Sequence, residues 1–277
     1  MEHIVRNHKI PSTDKRLNRH VYHDARSRNF AFDTSKLSIV SVFHGRHIPI
    51  LDQGNVGSCT GNAGIGALAT DPVYSTSISN NTTYPLTEDG AVKLYSDAEM
   101  IDGTGPYPPN DYGSYGLSIA KALKNAGLIS SYQHTFTLDD ALKALTQYPI
   151  MVGINWYNSM FNPQADGRVT ISGGIAGGHE IVARQIDARN QRVWFDNSWG
   201  TSWGVNGRFY LTFTDLGRLL SEQGDVIVLI PNGVAPATTT TTTIKPNTTT
   251  TTTIAPPSQE DVVLAEAMRT WLTAKGL

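Results

Sequence analysis

Cys59 is the only cysteine among the 277 residues of the chain. A single cysteine excludes an internal disulfide framework and a zinc site built from several thiolates. The functional role left to it is that of a nucleophile, which needs a base within hydrogen-bond reach and donors for the charge that develops on the attacked carbonyl. The alternative is a small buried apolar side chain, which is the commoner role of an unpaired cysteine.

The residues around Cys59 favour the nucleophile. Residues 51–63, LDQGNVGSCTGNA, place Gln53 six positions before Cys59 in the pattern Q-G-x-x-G-S-C. This pattern resembles the active-site motif of the papain family of cysteine peptidases. The resemblance implies that the Gln53 side chain and the backbone N–H of Cys59 form an oxyanion hole. At the start of a predicted helix, the macrodipole and the unpaired N–H groups should also favour the thiolate of Cys59 over the thiol.

His179 lies in a second motif. Residues 173–182, GGIAGGHEIV, place it after two glycines and before an apolar strand, which resembles the histidine motif of the same family. The resemblance implies that His179 is the general base for Cys59. Small flanking residues would leave room for a substrate beside the imidazole. The other seven histidines have no such context and are predicted to be surface or structural residues.

Asn197 begins the third motif. Residues 196–204, DNSWGTSWG, closely match the family's N-S-W-G-x-x-W-G signature. The resemblance implies that the Asn197 side chain orients the imidazole of His179, which is the role of the third member of a catalytic triad. It also implies that Trp199 shields the hydrogen bond between them. Trp199 is equally consistent with a core tryptophan, and the two roles are compatible.

Further candidates for substrate contact come from the same resemblance. Gly113 and Gly116 lie in the loop where the family binds the substrate backbone, although a turn needs glycine in any case. Glu180 falls where the family lines its second substrate subsite, so its carboxylate could favour a basic substrate side chain or stabilise the imidazolium. Gly178, beside the histidine, replaces the family's usual aspartate.

The departures from the family pattern indicate a particular branch. Thr60 replaces the usual aromatic residue after the nucleophile, and the disulfides of the family are absent. A disulfide-free, compact variant resembles the bacterial and bacteriophage members more than the plant or lysosomal ones. The N-terminal extension also lacks a long helical prodomain, so autocatalytic activation of that kind is not expected.

The resemblance covers about residues 37–230 and implies an α+β, papain-like two-lobed fold, with a helical lobe, a β-barrel-like lobe and the active-site cleft between them. The periodicity of the sequence agrees with two lobes. It predicts helices over residues 58–68, 91–101 and 114–126, and a short helix that Thr137 caps. Short runs rich in β-branched and aromatic residues predict strands over residues 150–154, 180–186, 192–195, 208–213 and 226–230.

Composition divides the chain into four parts. Residues 1–36 form a polar extension, interpreted as a strap over the domain, an inhibitory segment in the cleft or a disordered tail. Residues 37–232 are the predicted peptidase domain, and residues 233–257 are a Thr/Pro-rich linker. Residues 258–277 predict an amphipathic helix with Leu264, Met268 and Trp271 on one face, which would dock on a partner or fold back on its own domain.

The overall composition excludes several classes of partner. The 22 Lys and Arg residues against 24 Asp and Glu give a net charge of −2, which offers no electrostatic case for nucleic acid or an anionic membrane. No apolar run approaches the length that spans a bilayer, and the N-terminus lacks a signal peptide. The chain is therefore expected to be soluble, and cytoplasmic or, if phage-encoded, virion-associated. No metal or cofactor is expected.

The motifs favour an active cysteine-type endopeptidase that acts on a protein or peptide substrate through a thioester. Two alternatives remain open. One is a phage-associated peptidase that cleaves peptidoglycan cross-links, which the linker and terminal helix would tether. The other is a non-catalytic binding protein on the same fold. A transglutaminase would carry aspartate in the third position of the triad and would not be expected to contain the N-S-W-G signature.

Overall fold

The computed structural model describes residues 5–77 and 81–233 as helices on both faces of an antiparallel sheet. The helices are α1 (Cys59–Leu68), α2 (Val73–Ser77), α3 (Glu88–Asp102), α4 (Gly116–Asn125), α5 (Leu138–Leu145) and α6 (Phe213–Gln223). The strands are β1 (Val5–Lys9), β2 (His20–Asp24), β3 (Val42–Phe43), β4 (Ser131–Thr135), β5 (Ile150–Tyr157), β6 (Ile175–Asp187), β7 (Arg192–Asp196), β8 (Arg208–Thr212) and β9 (Asp225–Ile230). The predicted linker and terminal helix lie outside the described residues.

The main sheet has the strand order β4-β9-β5-β6-β7-β8, and β3 pairs with β6. The α+β fold class predicted from the sequence is confirmed. The expectation of a barrel-like lobe needs correction, because within the described residues β4 and β8 form the two ends of an open sheet and do not pair. Helices α5 and α6 bury one apolar face of the sheet, so the sheet does not need to close into a barrel to remove that face from water.

Two apolar cores lie on opposite faces of the sheet, because successive side chains of a strand point to opposite sides. Ile150, Val152 and Ile154 of β5 belong to the core that α5 and α6 cover. Met151, between them, belongs to the core formed with α1, α3 and α4. The second core is the helical lobe. Within residues 5–77 and 81–233, no helix combines the length and the apolar character needed to cross a bilayer.

Helix α1 is entirely buried, and its glycines explain how it fits. A Cβ atom at Gly61 would overlap the carbonyl oxygen of Ala91 and would lie 2.9 Å from Cβ of Tyr95. A Cβ atom at Gly64 would lie 2.7 Å from a methyl group of Leu94. The small residues that weaken α1 as an isolated helix therefore allow α3 to approach its backbone closely.

Several element boundaries differ from the predicted ones. Helix α3 begins three residues earlier than expected, at Glu88, because the Thr87 side chain accepts a hydrogen bond from the Gly90 N–H and caps it. The predicted cap of α5 at Thr137 is present, and Gly127, with a φ of +71°, follows the end of α4 as expected. Strand β4 and helix α6 were not predicted.

Candidate active site

Cys59 is the first residue of α1, and its side chain is completely buried. The backbone N–H groups of Glu180, Asn18 and Thr60 point towards the thiol and act to lower its pKa. Burial acts more strongly and raises the pKa of Cys59 to about 12. The expectation that the helix N-terminus makes this thiol a thiolate is therefore wrong for the described state, because desolvation outweighs the N–H groups.

His179 lies in β6, and the backbone N–H of the next residue, Glu180, faces the thiol of Cys59. Its Nε2 atom is 2.7 Å from Oδ1 of Asn197, which also accepts a hydrogen bond of 2.8 Å from the Ser198 N–H. An amide oxygen only accepts hydrogen bonds, so Nε2 carries the proton and Nδ1 is left with a free lone pair. Nδ1 is buried and has no hydrogen-bond partner among the described residues.

The surroundings of His179 favour the neutral imidazole. Burial lowers its pKa to about 4, and the hydrogen bond to Asn197 opposes this shift. The Trp199 and Trp156 rings each lie with their centroids 4.9 Å from the imidazole. Trp199 was expected at this position. Trp156 was missed, because it lies in β5 beyond the predicted end of that strand and belongs to no motif.

Gln53 connects the cysteine and asparagine motifs. Its Oε1 atom accepts a hydrogen bond of 2.6 Å from the Ser198 hydroxyl, and its backbone N–H donates to the Ser198 carbonyl. Its Nε2 atom donates to the carbonyl oxygens of Val56, at 2.7 Å, and of Arg16, at 3.3 Å. One amide N–H of Gln53 is thus directed at the peptide carbonyl of Arg16.

That carbonyl belongs to a segment that we call the strap, residues 10–20 of the N-terminal extension. The Arg19 N–H donates to the Gly178 carbonyl at 3.1 Å, and the His20 N–H donates to the Ser114 carbonyl at 2.9 Å. The Ser114 N–H donates to the Asn18 carbonyl at 3.3 Å. Residues 18–20 of the strap therefore cross the site in an extended conformation with hydrogen bonds on both sides, whereas residues 13–16 form a turn.

The candidate glycines differ in what they contact. A Cβ atom at Gly178 would overlap the carbonyl oxygen of Arg19, and one at Gly113 would overlap that of Asn18. Both glycines therefore allow a peptide backbone to pass closely. Gly116 makes room for a side chain instead, because its Cβ atom would lie 2.6 Å from a carboxylate oxygen of Glu180.

Glu180 is completely buried and faces the strap residue Arg19, with 3.7 Å between its Oε2 atom and the guanidinium Nε. Burial raises the pKa of Glu180 to about 7, and the positive charge of Arg19 opposes this shift. A second carboxylate, that of Asp225, forms an ion pair with the same guanidinium. No sequence pattern pointed to Asp225, because this residue precedes the predicted strand at residues 226–230.

Nothing in the described ranges groups three or more His, Cys, Asp or Glu side chains as a metal site would require. The candidate active site offers the chemistry of its side chains. It contains a buried thiol, an imidazole with one free nitrogen, an amide that fixes this imidazole, and an amide N–H that meets a peptide carbonyl. This set is suited to acyl transfer from a peptide bond.

Comparison with known proteins agrees with these motifs. No family model matches the sequence. The chain is 28% identical over 182 residues to a probable cysteine protease of Arabidopsis thaliana, and the alignment covers 59% of this chain and 40% of that protein. The chain thus spans less than half the length of this curated relative.

Solved structures show the fold. Xylellain, a cysteine protease from Xylella fastidiosa, superimposes with a TM-score of 0.52 at 18% identity, over 80% of this chain and 98% of that one. A procathepsin B of Trypanosoma congolense gives a TM-score of 0.55 at 12% identity, over 78% and 87% of the two chains. The papain-like fold expected from the motifs is confirmed.

Proposed function

We propose that this chain, which has the papain-like fold, is a cysteine-type endopeptidase in which Cys59, His179 and Asn197 form the catalytic triad. The observation that carries the proposal is the 2.7 Å hydrogen bond between His179 Nε2 and Asn197 Oδ1. This hydrogen bond leaves Nδ1 of His179 free to act as a base. The next residue, Glu180, directs its backbone N–H at the thiol of Cys59.

The first step is a proton transfer coupled to attack. The Cys59 thiol gives its proton to His179 Nδ1, and the sulfur forms a bond to the carbonyl carbon of the substrate peptide. The carbonyl π electrons move onto oxygen, which becomes an oxyanion. Gln53 Nε2 and the backbone N–H of Cys59 would donate hydrogen bonds to that oxygen. Support for the Gln53 role comes from its donation to the Arg16 carbonyl of the strap.

The second step releases the two products in turn. The imidazolium of His179 gives its Nδ1 proton to the leaving nitrogen, the C–N bond breaks, and a thioester on Cys59 remains. A water molecule then gives a proton to Nδ1 and attacks the thioester carbon. Loss of sulfur and return of the proton release the carboxylic acid and restore the thiol. Asn197 holds the ring in the same tautomer through both steps.

We further propose that the strap keeps this site inactive. Cys59 and His179 have no exposed surface in the described structure, which supports this proposal. With a thiol pKa of about 12 and an imidazole pKa of about 4, both groups are neutral at pH 7. An approaching peptide would need the same backbone partners, Ser114 and Gly178, that the strap already uses. Activity therefore requires the strap to leave.

The test of the catalytic proposal uses the full-length chain and an Arg19→Ala variant, in which the buried anchor of the strap is removed. An epoxysuccinyl thiol-protease inhibitor should label Cys59, and the labelled protein should no longer cleave denatured protein substrate. The Cys59→Ala variant should neither be labelled nor cleave. If Arg19→Ala is labelled but cleaves neither denatured protein nor purified cell walls, the chain is not a peptidase. If the variant clears purified cell walls but does not cleave denatured protein, the substrate is peptidoglycan.

The test of the inhibitory strap uses Gly178→Ala, because a Cβ atom there would overlap the Arg19 carbonyl. The rate of Cys59 alkylation by iodoacetamide should rise about tenfold or more, since overpacking of this size costs roughly 1–3 kcal/mol. The matched control is Gly174→Ala, whose Cβ atom would meet only one atom, at 3.6 Å. Equal alkylation rates in the two variants would contradict the proposal.

A further inference from the structure

We propose that Tyr95, Glu99 and Asp111 are positioning residues, which hold one wall of the substrate groove against the segment that leads to Cys59. This inference rests on the proposed peptidase function and adds three residues on which its geometry depends. We call these three residues the clasp. None of them belongs to the catalytic motifs of the sequence.

Glu99 of α3 holds the groove wall, which we define as residues 112–114. Its Oε1 atom accepts hydrogen bonds from the backbone N–H groups of Tyr112, at 2.8 Å, and of Gly113, at 3.1 Å. The next residue, Ser114, exchanges backbone hydrogen bonds with the strap, as it would with a peptide substrate. Glu99 is completely buried. A buried carboxylate oxygen therefore fixes the backbone immediately before the residue that pairs with a peptide in the groove.

Asp111 attaches the groove wall to the segment before the nucleophile. Its two carboxylate oxygens accept the hydrogen bond of the Gly57 N–H at 3.0 and 3.1 Å. Gly57 lies between Gln53 and Cys59, which supply the proposed oxyanion donors. A Cβ atom at Gly57 would overlap the Asp111 carboxylate, so the glycine allows this close approach. Since Cys59 is the only cysteine, no disulfide can cross-link the two segments, and hydrogen bonds must hold them together.

Tyr95 connects the two carboxylates. Its hydroxyl lies 2.7 Å from Glu99 Oε1 and 2.7 Å from Asp111 Oδ1, so that it can donate to either. The same hydroxyl accepts a hydrogen bond of 2.8 Å from the Gly113 N–H. Tyr95 is completely buried in α3, where it also packs against Gly61 of the helix that begins at the nucleophile. The clasp thus fixes both segments to the same buried helix.

The clasp should matter for peptide cleavage more than for the reactivity of the thiol. A peptide substrate must meet the groove wall and the oxyanion donors at the same time, and the clasp sets the distance between them. Misplacement of reacting groups by about 1 Å can lower a rate by about 10²-fold. A small alkylating agent reacts with the thiol alone and has no need of the groove wall. Loss of the clasp should therefore separate the two rates.

The test introduces Tyr95→Phe into the full-length Arg19→Ala chain, because this change removes only the hydroxyl at the centre of the clasp. We expect kcat/KM for a fluorogenic peptide to fall by about 10²-fold. The rate of Cys59 alkylation by iodoacetamide should stay within about threefold, since one hydroxyl outside the triad is lost. Equal falls in both rates would mean a general disturbance of the site and would overturn the positioning role.

The matched control is Tyr84→Phe in the same chain. Tyr84 is also a buried tyrosine, and its hydroxyl donates to another carboxylate of α3, that of Asp97, at 2.8 Å. Its loss removes the same kind of hydrogen bond outside the clasp, so kcat/KM should stay within about twofold. A fall for Tyr95→Phe no larger than the fall for Tyr84→Phe would overturn the clasp.

A conservative substitution provides a second test. Asp111→Ala should lower kcat/KM as Tyr95→Phe does, because the Gly57 N–H loses its acceptor. Asp111→Asn keeps an oxygen that can accept this N–H, and it should recover about tenfold of the loss. Equal losses for alanine and asparagine would show that the hydrogen bond to Gly57 does not position the site.

Hydrogen exchange tests the clasp independently of activity. If Arg19→Ala is labelled at Cys59 but cleaves no substrate, the peptidase function fails and the clasp is judged by exchange alone. In the full-length chain, Asp111→Ala should speed exchange of the Gly57 amide by about tenfold or more, because a hydrogen bond to a charged group is lost. Exchange of the β5 amides should not change. An unchanged rate at Gly57 would overturn the clasp.

Discussion

At the scale of single residues, the hydrogen bond between His179 and Asn197 decides which ring nitrogen can accept a proton. Replacement of Asn197 by alanine frees the ring to adopt the other tautomer, in which Nδ1 carries the proton and cannot act as a base. In the Arg19→Ala background we expect kcat to fall by about 10²-fold, the lower end of what general acid–base catalysis contributes. KM should change much less, because Asn197 is not proposed to contact the substrate.

The matched control for this substitution is Asn162→Ala, since Asn162 is an exposed asparagine. Its loss should leave kcat within about twofold, because substitution of an exposed residue outside the triad has small effects. An Asn197→Ala variant with an unchanged kcat and pH profile would show that the tautomer is fixed by something else.

The buried imidazole of His134 makes the free energy of unfolding depend on pH. Burial in β4 lowers its pKa from 6.5 to about 4. The unfolded chain then binds a proton near pH 6.5 that the folded chain accepts only near pH 4, so this contribution to stability is present above pH 6.5 and is lost as the pH falls towards 4. Between pH 7.5 and pH 5 the loss is about 2 kcal/mol. His134→Gln should reduce the fall in urea-unfolding free energy over this range by that amount, and an identical pH dependence in both proteins would contradict it.

The sequence identified most residues of this site because their roles fix their local sequence. Gln53, Cys59, His179 and Asn197 each lie in a motif. Hydrogen bonds link Asn197 to His179 and Gln53 to Ser198, and the Glu180 N–H faces the Cys59 thiol. Asp225 and Trp156 could not be found in this way. Each acts only through neighbours on another strand, and that pairing is not visible in the local sequence.

At the scale of secondary-structure elements, the close packing of α1 against α3 positions Cys59. A Cβ atom at Gly61 would overlap the Ala91 carbonyl, and backbone atoms cannot rotate away as a side chain can. Gly61→Ala should therefore destabilise the fold by roughly 1–3 kcal/mol, despite the higher helix propensity of alanine. Urea unfolding measures this loss. The control is Gly45→Ala, whose Cβ atom would have its nearest contact at 3.6 Å and should change the unfolding free energy much less.

Elements were predictable where a local signal sets them and not where tertiary contacts do. Thr137 caps α5 and the β-branched run at residues 150–154 begins β5, as expected. Strand β4, with the sequence SYQHT, has few apolar residues and is held by pairing with β9.

At the scale of the whole molecule, the strap combines closure of the groove with a buried group of ion pairs. It fills the groove with a peptide of the chain itself, and its Arg19 forms ion pairs with Glu180 and Asp225. Opening must therefore separate a buried guanidinium from two carboxylates and expose Cys59 in one event. Since Cys59 is the only thiol of the chain, its modification reports on this event in the full-length protein.

The strap should make alkylation of Cys59 strongly dependent on folding and on pH. Alkylation requires the thiolate, and a pKa of about 12 under the strap leaves a thiolate fraction near pH 8 that is about 10³-fold below that of an unperturbed cysteine. At pH 8 we expect Cys59 of the folded full-length protein to react at least about 10³-fold more slowly than in the same protein in guanidinium chloride. The rate should rise steadily towards pH 10, because closed chains gain thiolate as the pH approaches the raised pKa. Iodoacetamide labelling followed by mass spectrometry measures both rates, and Arg19→Ala should lie between them. A native rate within tenfold of the denatured one would mean that the strap does not close over Cys59 in solution.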